Sequence, residues 1–110
     1  MDFIEGQGVL GKIQFLDGVM PAYDRTYLVV KATDEYIDVL NVSTTKGKER
    51  KLAFPTNRRI KSYNPPFLKP SFVKLDSLTR VEKSLCDSLI ILNKGRVLNQ
   101  NELNEIQQLI

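Results

Sequence analysis

From Thr26 to Ala32 the chain is almost continuously apolar through Tyr27-Leu-Val-Val30, which predicts a strand buried on both faces. Asp34-Glu35 then forms a short polar connection of hairpin length. A second strand is predicted from Tyr36 to Val42, with Tyr36, Asp38, Leu40 and Val42 on one face and Ile37, Val39 and Asn41 on the other. Upstream, Val9 to Leu16 alternates more weakly around Gly11, a position expected to mark a bulge or bend. Downstream, Lys51 to Phe54 and Ser71 to Val81 are further strand candidates, with a helix over Ser77 to Leu85 as the competing assignment. Asn64-Pro-Pro66 between them must be an irregular loop, because proline cannot donate to a ladder. Only the tail changes period. From Leu98 to Ile110, the residues Leu103, Ile106, Leu109 and Ile110 recur at helical spacing, with Asn99 or Asn101 as N-cap and Glu102 and Glu105 placed where the helix dipole favours them. The pattern predicts a mainly β domain with one C-terminal helix packed on the sheet.

Composition narrows the class. A length of 110 residues, 42% of them hydrophobic, suits one small domain spanning 1–110. Neither a leader-type N-terminus nor an apolar run of membrane-spanning length is seen, so a cytoplasmic location is expected. Cys86, the one cysteine, lies among Leu85, Leu89 and Ile90 and reads as a buried structural thiol.

Histidine is absent, which excludes Ser-His-Asp and Cys-His nucleophile pairs, a histidine general base and a His-based zinc site. Asp17, Asp24, Asp34, Glu35, Asp38, Asp76, Glu82 and Asp87 are scattered without a DxD or ExxE spacing, so no metal site and no cofactor are predicted.

Charge is distributed unevenly. Between Lys46 and Lys61 stand Lys46, Lys48, Arg50, Lys51, Arg58, Arg59 and Lys61 against Glu49 alone, a segment of +6 in a chain of net +3, so the rest sums to −3. Such a stripe is either the footprint of a nucleic-acid backbone or a solvated hairpin face. Tyr63 and Phe67 follow it, as stacking surfaces for unpaired bases or as core plugs under the proline-rich loop.

The candidate chemistry sits at strand ends. Met20-Pro-Ala-Tyr-Asp-Arg25 is a polar loop that delivers Arg25 to the start of one strand, and the next strand ends on Ser43, Thr44 and Thr45. A guanidinium fork and a hydroxyl brought together there suit a phosphate. In a histidine-free chain they suit RNA cleavage in which the substrate's own 2′-hydroxyl attacks the adjacent phosphorus.

The order of these segments resembles the PemK/MazF family of toxin endoribonucleases. The resemblance covers most of residues 8–110: a Gly-led strand (Gly8-Val-Leu-Gly-Lys-Ile-Gln-Phe15), a loop ending in Arg25, the Leu28-Val29-Val30 strand, a strand ending in Val42-Ser43, the late run Val73-Lys-Leu-Asp-Ser-Leu-Thr-Arg-Val-Glu-Lys83, and a closing helix. Two positions depart from the family: Thr26 stands where proline usually follows the arginine, and Ser43 where threonine is commoner, leaving Thr44 as its rival. The resemblance implies a small SH3-like β-barrel of the PemK/MazF/CcdB type and a metal-independent, sequence-selective endoribonuclease acting on single-stranded RNA. Arg25 and Ser43 or Thr44 would be catalytic. Lys46, Lys48, Arg50 and Lys51 would track the RNA backbone, and Asp76 and Ser77 would border the RNA groove. It further implies a homodimer and a cognate antitoxin whose acidic or apolar tail occupies that groove. The competing reading is a non-catalytic module on the same barrel, binding nucleic acid or a protein as CcdB-type gyrase inhibitors do.

Overall fold

The computed structural model describes residues 2–14 and 17–110. Its centre is a hairpin of β2 (Arg25–Ala32) and β3 (Tyr36–Thr44), closed at Thr33–Glu35, where the Thr33 hydroxyl accepts the Glu35 and Tyr36 amides. On the far side of β2 lies β1 (Gly8–Gly11) and then β7 (Ile90–Ile91). The other edge of β3 is shared: β6 (Thr79–Glu82) pairs with residues 36–39, and β5 (Ser71–Lys74) pairs with residues 42–44 and carries β4 (Asn57–Arg59) outside it. All ladders are antiparallel, and together they make a seven-stranded sheet in which β4 and β7 are the ends of the main path. Helix α1 (Gln100–Gln108) closes the chain, capped by the Asn99 side chain, which accepts the Glu102 amide at 3.1 Å.

Strict alternation along β2 and β3 divides the buried side chains into two sets. Leu28, Val30, Leu40 and Val42 share a core with Leu98, Leu103 and Ile106, the face covered by α1. Tyr27, Val29, Ile37 and Val39 face the other way, against Phe3, Ile13, Val81, Cys86 and Leu89. Cys86 is buried, and desolvation, with Asp87 beside it, pushes its thiol upward against the pull of Lys83.

Several sequence expectations need correction. Lys51 to Phe54 is no strand: it belongs to a 3-10 turn, Glu49–Ala53, built from successive i→i+3 bonds from Lys51 to Lys48 and from Phe54 to Lys51. Ser71 to Val81 is two strands, split by a second such turn, Leu75–Ser77, and the helical alternative over Ser77 to Leu85 is overturned by β6 and a third short turn, Lys83–Leu85. The first strand is limited to Gly8–Gly11, and Phe15 and Leu16 lie outside the described residues. Gly11 is not a bulge, since β1 and β2 stay in register through Gly11–Arg25. Glycine is required there because a Cβ would sit 2.6 Å from the Leu89 side chain. The bulge occurs instead in β2, where Val30 is the extra residue between the Val29–Val39 and Lys31–Asp38 pairs. On the helix, Leu103 and Ile106 are core, whereas Leu109 and Ile110 are exposed. No helix is long and apolar enough to cross a membrane.

Candidate nucleic-acid interface

The hairpin register decides which polar residues meet. Thr26 pairs with Val42, so one step outward Arg25 stands across from Ser43, on the face away from α1. Thr44 falls on the opposite face, exposed and paired with Ser71. Continuing across the sheet, Gly11, Arg25, Ser43, Phe72 and Arg59 form a single cross-strand row. The guanidinium lies over the Tyr23 ring at 4.9 Å and donates to its hydroxyl at 3.5 Å, so the loop before β2 aims the arginine.

The next row inward on this face holds Val9, Tyr27 and Asn41, and one step past the Val42–Val73 pair brings Lys74 beside Asn41. Lys74 is not among the site residues expected from the sequence. Its ammonium is half-buried, and its pKa is lowered first by that burial and then by Lys51, Arg25 and Lys48, with Asp76 alone opposing them. Three cations therefore lie within electrostatic reach of Lys74 on β5: Arg25 from β2, Lys48 just before the 3-10 turn, and Lys51 within it. No sequence spacing announces this group, because it depends on the register of β3 against β5 and on the fold-back of residues 45–54.

The remaining basic residues separate from it. Lys46 and Arg50 are exposed on the same connection, whereas Arg58 is ion-paired with Glu105 of α1. Glu102 is committed too, its buried carboxylate accepting the Lys61 and Ser62 amides. Of the two aromatics after the basic segment, Phe67 is a core residue and Tyr63 packs half-buried against the same core, so both are plugs rather than stacking surfaces.

Below Lys74, Ser77 spends its hydroxyl on the backbone, accepting the Asn41 amide at 2.8 Å and donating to the Lys74 carbonyl at 2.6 Å. It thus bridges the point where β3 has neither β5 nor β6 beside it. Asp76, next to it, is exposed. The break opens a cavity of about 400 Å³ bordered by Tyr27, Asn41, Asp76, Ser77 and Thr79 on one side and by Ile13, Gln14 and Asp17 on the other. A second cavity of about 310 Å³, on the helix-covered side of the same sheet end, is mostly apolar and touches Thr26, Ser43 and Thr44. At the far end of β3, Asp38 is buried and held bidentately by Arg80, whose guanidinium also stacks on Tyr36 at 3.8 Å, which fixes the β3–β6 pairing. Among the described residues no three His, Cys, Asp or Glu side chains gather as metal ligands.

No family model matches this sequence, and no curated protein is significantly similar to it.

Proposed function

We propose that this protein is a metal-independent endoribonuclease that cleaves single-stranded RNA on the face of the sheet carrying Arg25, Ser43 and Lys74. The observation that carries the reading is Arg25 standing across from Ser43 with the half-buried Lys74 one row inward and Arg25, Lys48 and Lys51 within its electrostatic reach, because like charge around a half-buried ammonium is unfavourable and is relieved by a polyanion. Arg25 neutralises the phosphoryl oxygens in the transition state and Ser43 donates to one of them. The RNA 2′-hydroxyl attacks phosphorus as the bond to the 5′-oxygen breaks. Lys74, its ammonium destabilised by its surroundings, accepts the 2′ proton, and water returns one to the departing oxygen. Lys46, Lys48, Arg50 and Lys51 follow the backbone, and Asp76 faces the bases.

The same reading takes the sheet as an SH3-like barrel of the PemK/MazF/CcdB type acting in the cytoplasm as a homodimer, held in check by an antitoxin tail laid along the cationic face. The exposed Leu109 and Ile110 are apolar surface available to a second copy.

The deciding experiment is incubation with a mixed RNA pool in EDTA, followed by end mapping. Products ending in a 2′,3′-cyclic or 3′-phosphate and starting with a 5′-hydroxyl are expected. Strict dependence on added divalent metal, or a 5′-phosphate at the cut, overturns the mechanism, and binding without cutting identifies a non-catalytic module. A monomer by light scattering at tens of micromolar overturns the dimer.

A further inference from the structure

The cavity of about 400 Å³ beneath Lys74 has the size of a small-ligand site, and Asn41, Asp76, Ser77 and Thr79 place polar groups along its wall. Tyr27 supplies the second, independent observation. Only 4% of this residue is exposed, and its hydroxyl, shut off from solvent, donates to no acceptor among the described residues. Burial pushes the phenol's pKa up, with a hydrogen bond from the Ile13 backbone and the Arg25 charge only partly offsetting it, so the group is a neutral donor whose own proton is unused.

We infer that this cavity is a guanine pocket, holding the base of a nucleotide whose phosphate lies on the Arg25–Ser43 row, an inference that rests on the RNA reading above for the identity of that phosphate. Spacing supports the pairing of the two subsites. The Tyr27–Asn41 row lies two residues inward from Arg25–Ser43, about 7 Å along the strands, a separation a single nucleotide spans.

The lining then selects the base. Asp76 is a charge neighbour of Lys74 and lines the pocket, and an ionised carboxylate offers two acceptors and no donor. Guanine alone among the four bases presents two adjacent donors, its N1–H and N2 amino group, that match such a fork. Its O6 and N7 are acceptors on the adjoining edge, where the Tyr27 hydroxyl and the Asn41 amide can donate. Adenine and cytosine offer one amino group beside an acceptor that would face the carboxylate. Uracil offers a single donor flanked by carbonyls.

The test is calorimetric titration of the intact protein with 3′-GMP, 3′-AMP, 3′-CMP and 3′-UMP, alongside RNA end mapping. 3′-GMP should bind roughly tenfold or more tighter than the others. Asp76→Asn should erase that ratio, whereas Lys74→Gln should weaken all four nucleotides alike and leave the ratio intact. Tyr27→Phe should weaken 3′-GMP by roughly threefold to tenfold while changing the melting temperature little, since that hydroxyl donates to no acceptor among the described residues. Equal affinity for the four nucleotides, or a guanine preference that survives Asp76→Asn, overturns the pocket, and RNA cut at sites lacking guanine would then leave the cleavage reading standing. Selective 3′-GMP binding with no RNA cut overturns the cleavage reading and leaves the pocket.

Discussion

The two faces of the β2–β3 hairpin are built from alternate residues of the same strands, yet they solve different problems. On the face under α1 every inward position of the hairpin core is aliphatic, and three polar groups beside it are tied down: Asn99 caps the helix, Glu102 accepts the Lys61 and Ser62 amides, and the Gln107 amide donates to the Val30 carbonyl at 2.8 Å. On the other face the aliphatic set stops at Val29 and Val39, and toward the open end it gives way to Tyr27, Asn41, Lys74, Ser43 and Arg25. One face is optimised for burial. The other keeps a lysine among cations and a phenol whose proton meets no acceptor among the described residues, features that lower stability and concentrate where ligands are bound.

The sharpest test of this contrast is catalytic. Arg25→Ala should lower RNA cleavage by about 10³ or more and Ser43→Ala by about 10²–10³, with melting temperatures close to wild type, as measured by initial rates and thermal denaturation. Thr44→Ala, on the wrong face, should cost much less. A crippled Thr44→Ala with a silent Ser43→Ala would reverse the assignment of faces.

Next in size is a change on the other side. Ile106→Ala, which removes a fully buried side chain from the helix-covered core, should cost about 2–5 kcal/mol in chemical denaturation and leave nucleotide affinity of the folded fraction unchanged. If affinity falls in parallel, the two faces are not separable.

Lys74→Met sets stability against function. The pKa of Lys74 is lowered in the folded chain, so the unfolded chain binds its proton more readily, and wild-type stability rises with pH between the lowered value and the ordinary lysine value. Below that window the cost of the buried charge is fully present. The substitution should therefore raise the melting temperature near neutral pH, with a gain that shrinks as pH climbs toward the lysine range, while RNA affinity and cleavage drop. A variant less stable than wild type at pH 7 would show that Lys74 is a structural cation.

The smallest effects concern the basic segment. Replacing Lys48 and Lys51 with Gln should reduce the slope of log affinity against log salt by roughly 0.7 for each phosphate no longer neutralised, without moving cleavage sites. Arg58→Gln should leave that slope alone and change stability by about 0–1 kcal/mol, because its partner is Glu105 and the pair is partly exposed.

These contrasts were only partly legible in the sequence. The β2 and β3 runs, their two faces, the Asp34-Glu35 turn and the Asn99 cap follow from periodicity and local capping chemistry, which act over a few residues. The facing of Arg25 and Ser43 follows from them too, since a short turn fixes the register of a hairpin. Lys74 was invisible because its neighbours come from segments more than twenty residues away, and a lysine in an amphipathic strand carries no mark of the cations that fold will bring to it. Lys51 to Phe54 misled for a local reason: four residues are too few to distinguish a strand from a turn whose bonds run i→i+3. Ser71 to Val81 reads as one strand because the signal that divides it is a single hydroxyl, and Ser77 resembles any other polar strand residue until its bond to Asn41 is seen.

That hydroxyl has a consequence for how the molecule can change over time. Ser77 stands in for a missing strand at the point where β3 passes its edge from β6 to β5, so the two ladders are joined there through a side chain. A substitution at Leu75, Asp76 or Leu78 that leaves the Ser77 hydroxyl in place reshapes the wall of the groove without shifting the register of β5 or β6. A residue inserted or deleted inside the β2–β3 ladder would turn every side chain beyond it to the opposite face. The wall is thus the part of this sheet that lineages are free to re-cut, and altered ligand preference can accumulate there while Arg25, Ser43 and both cores stay where they are.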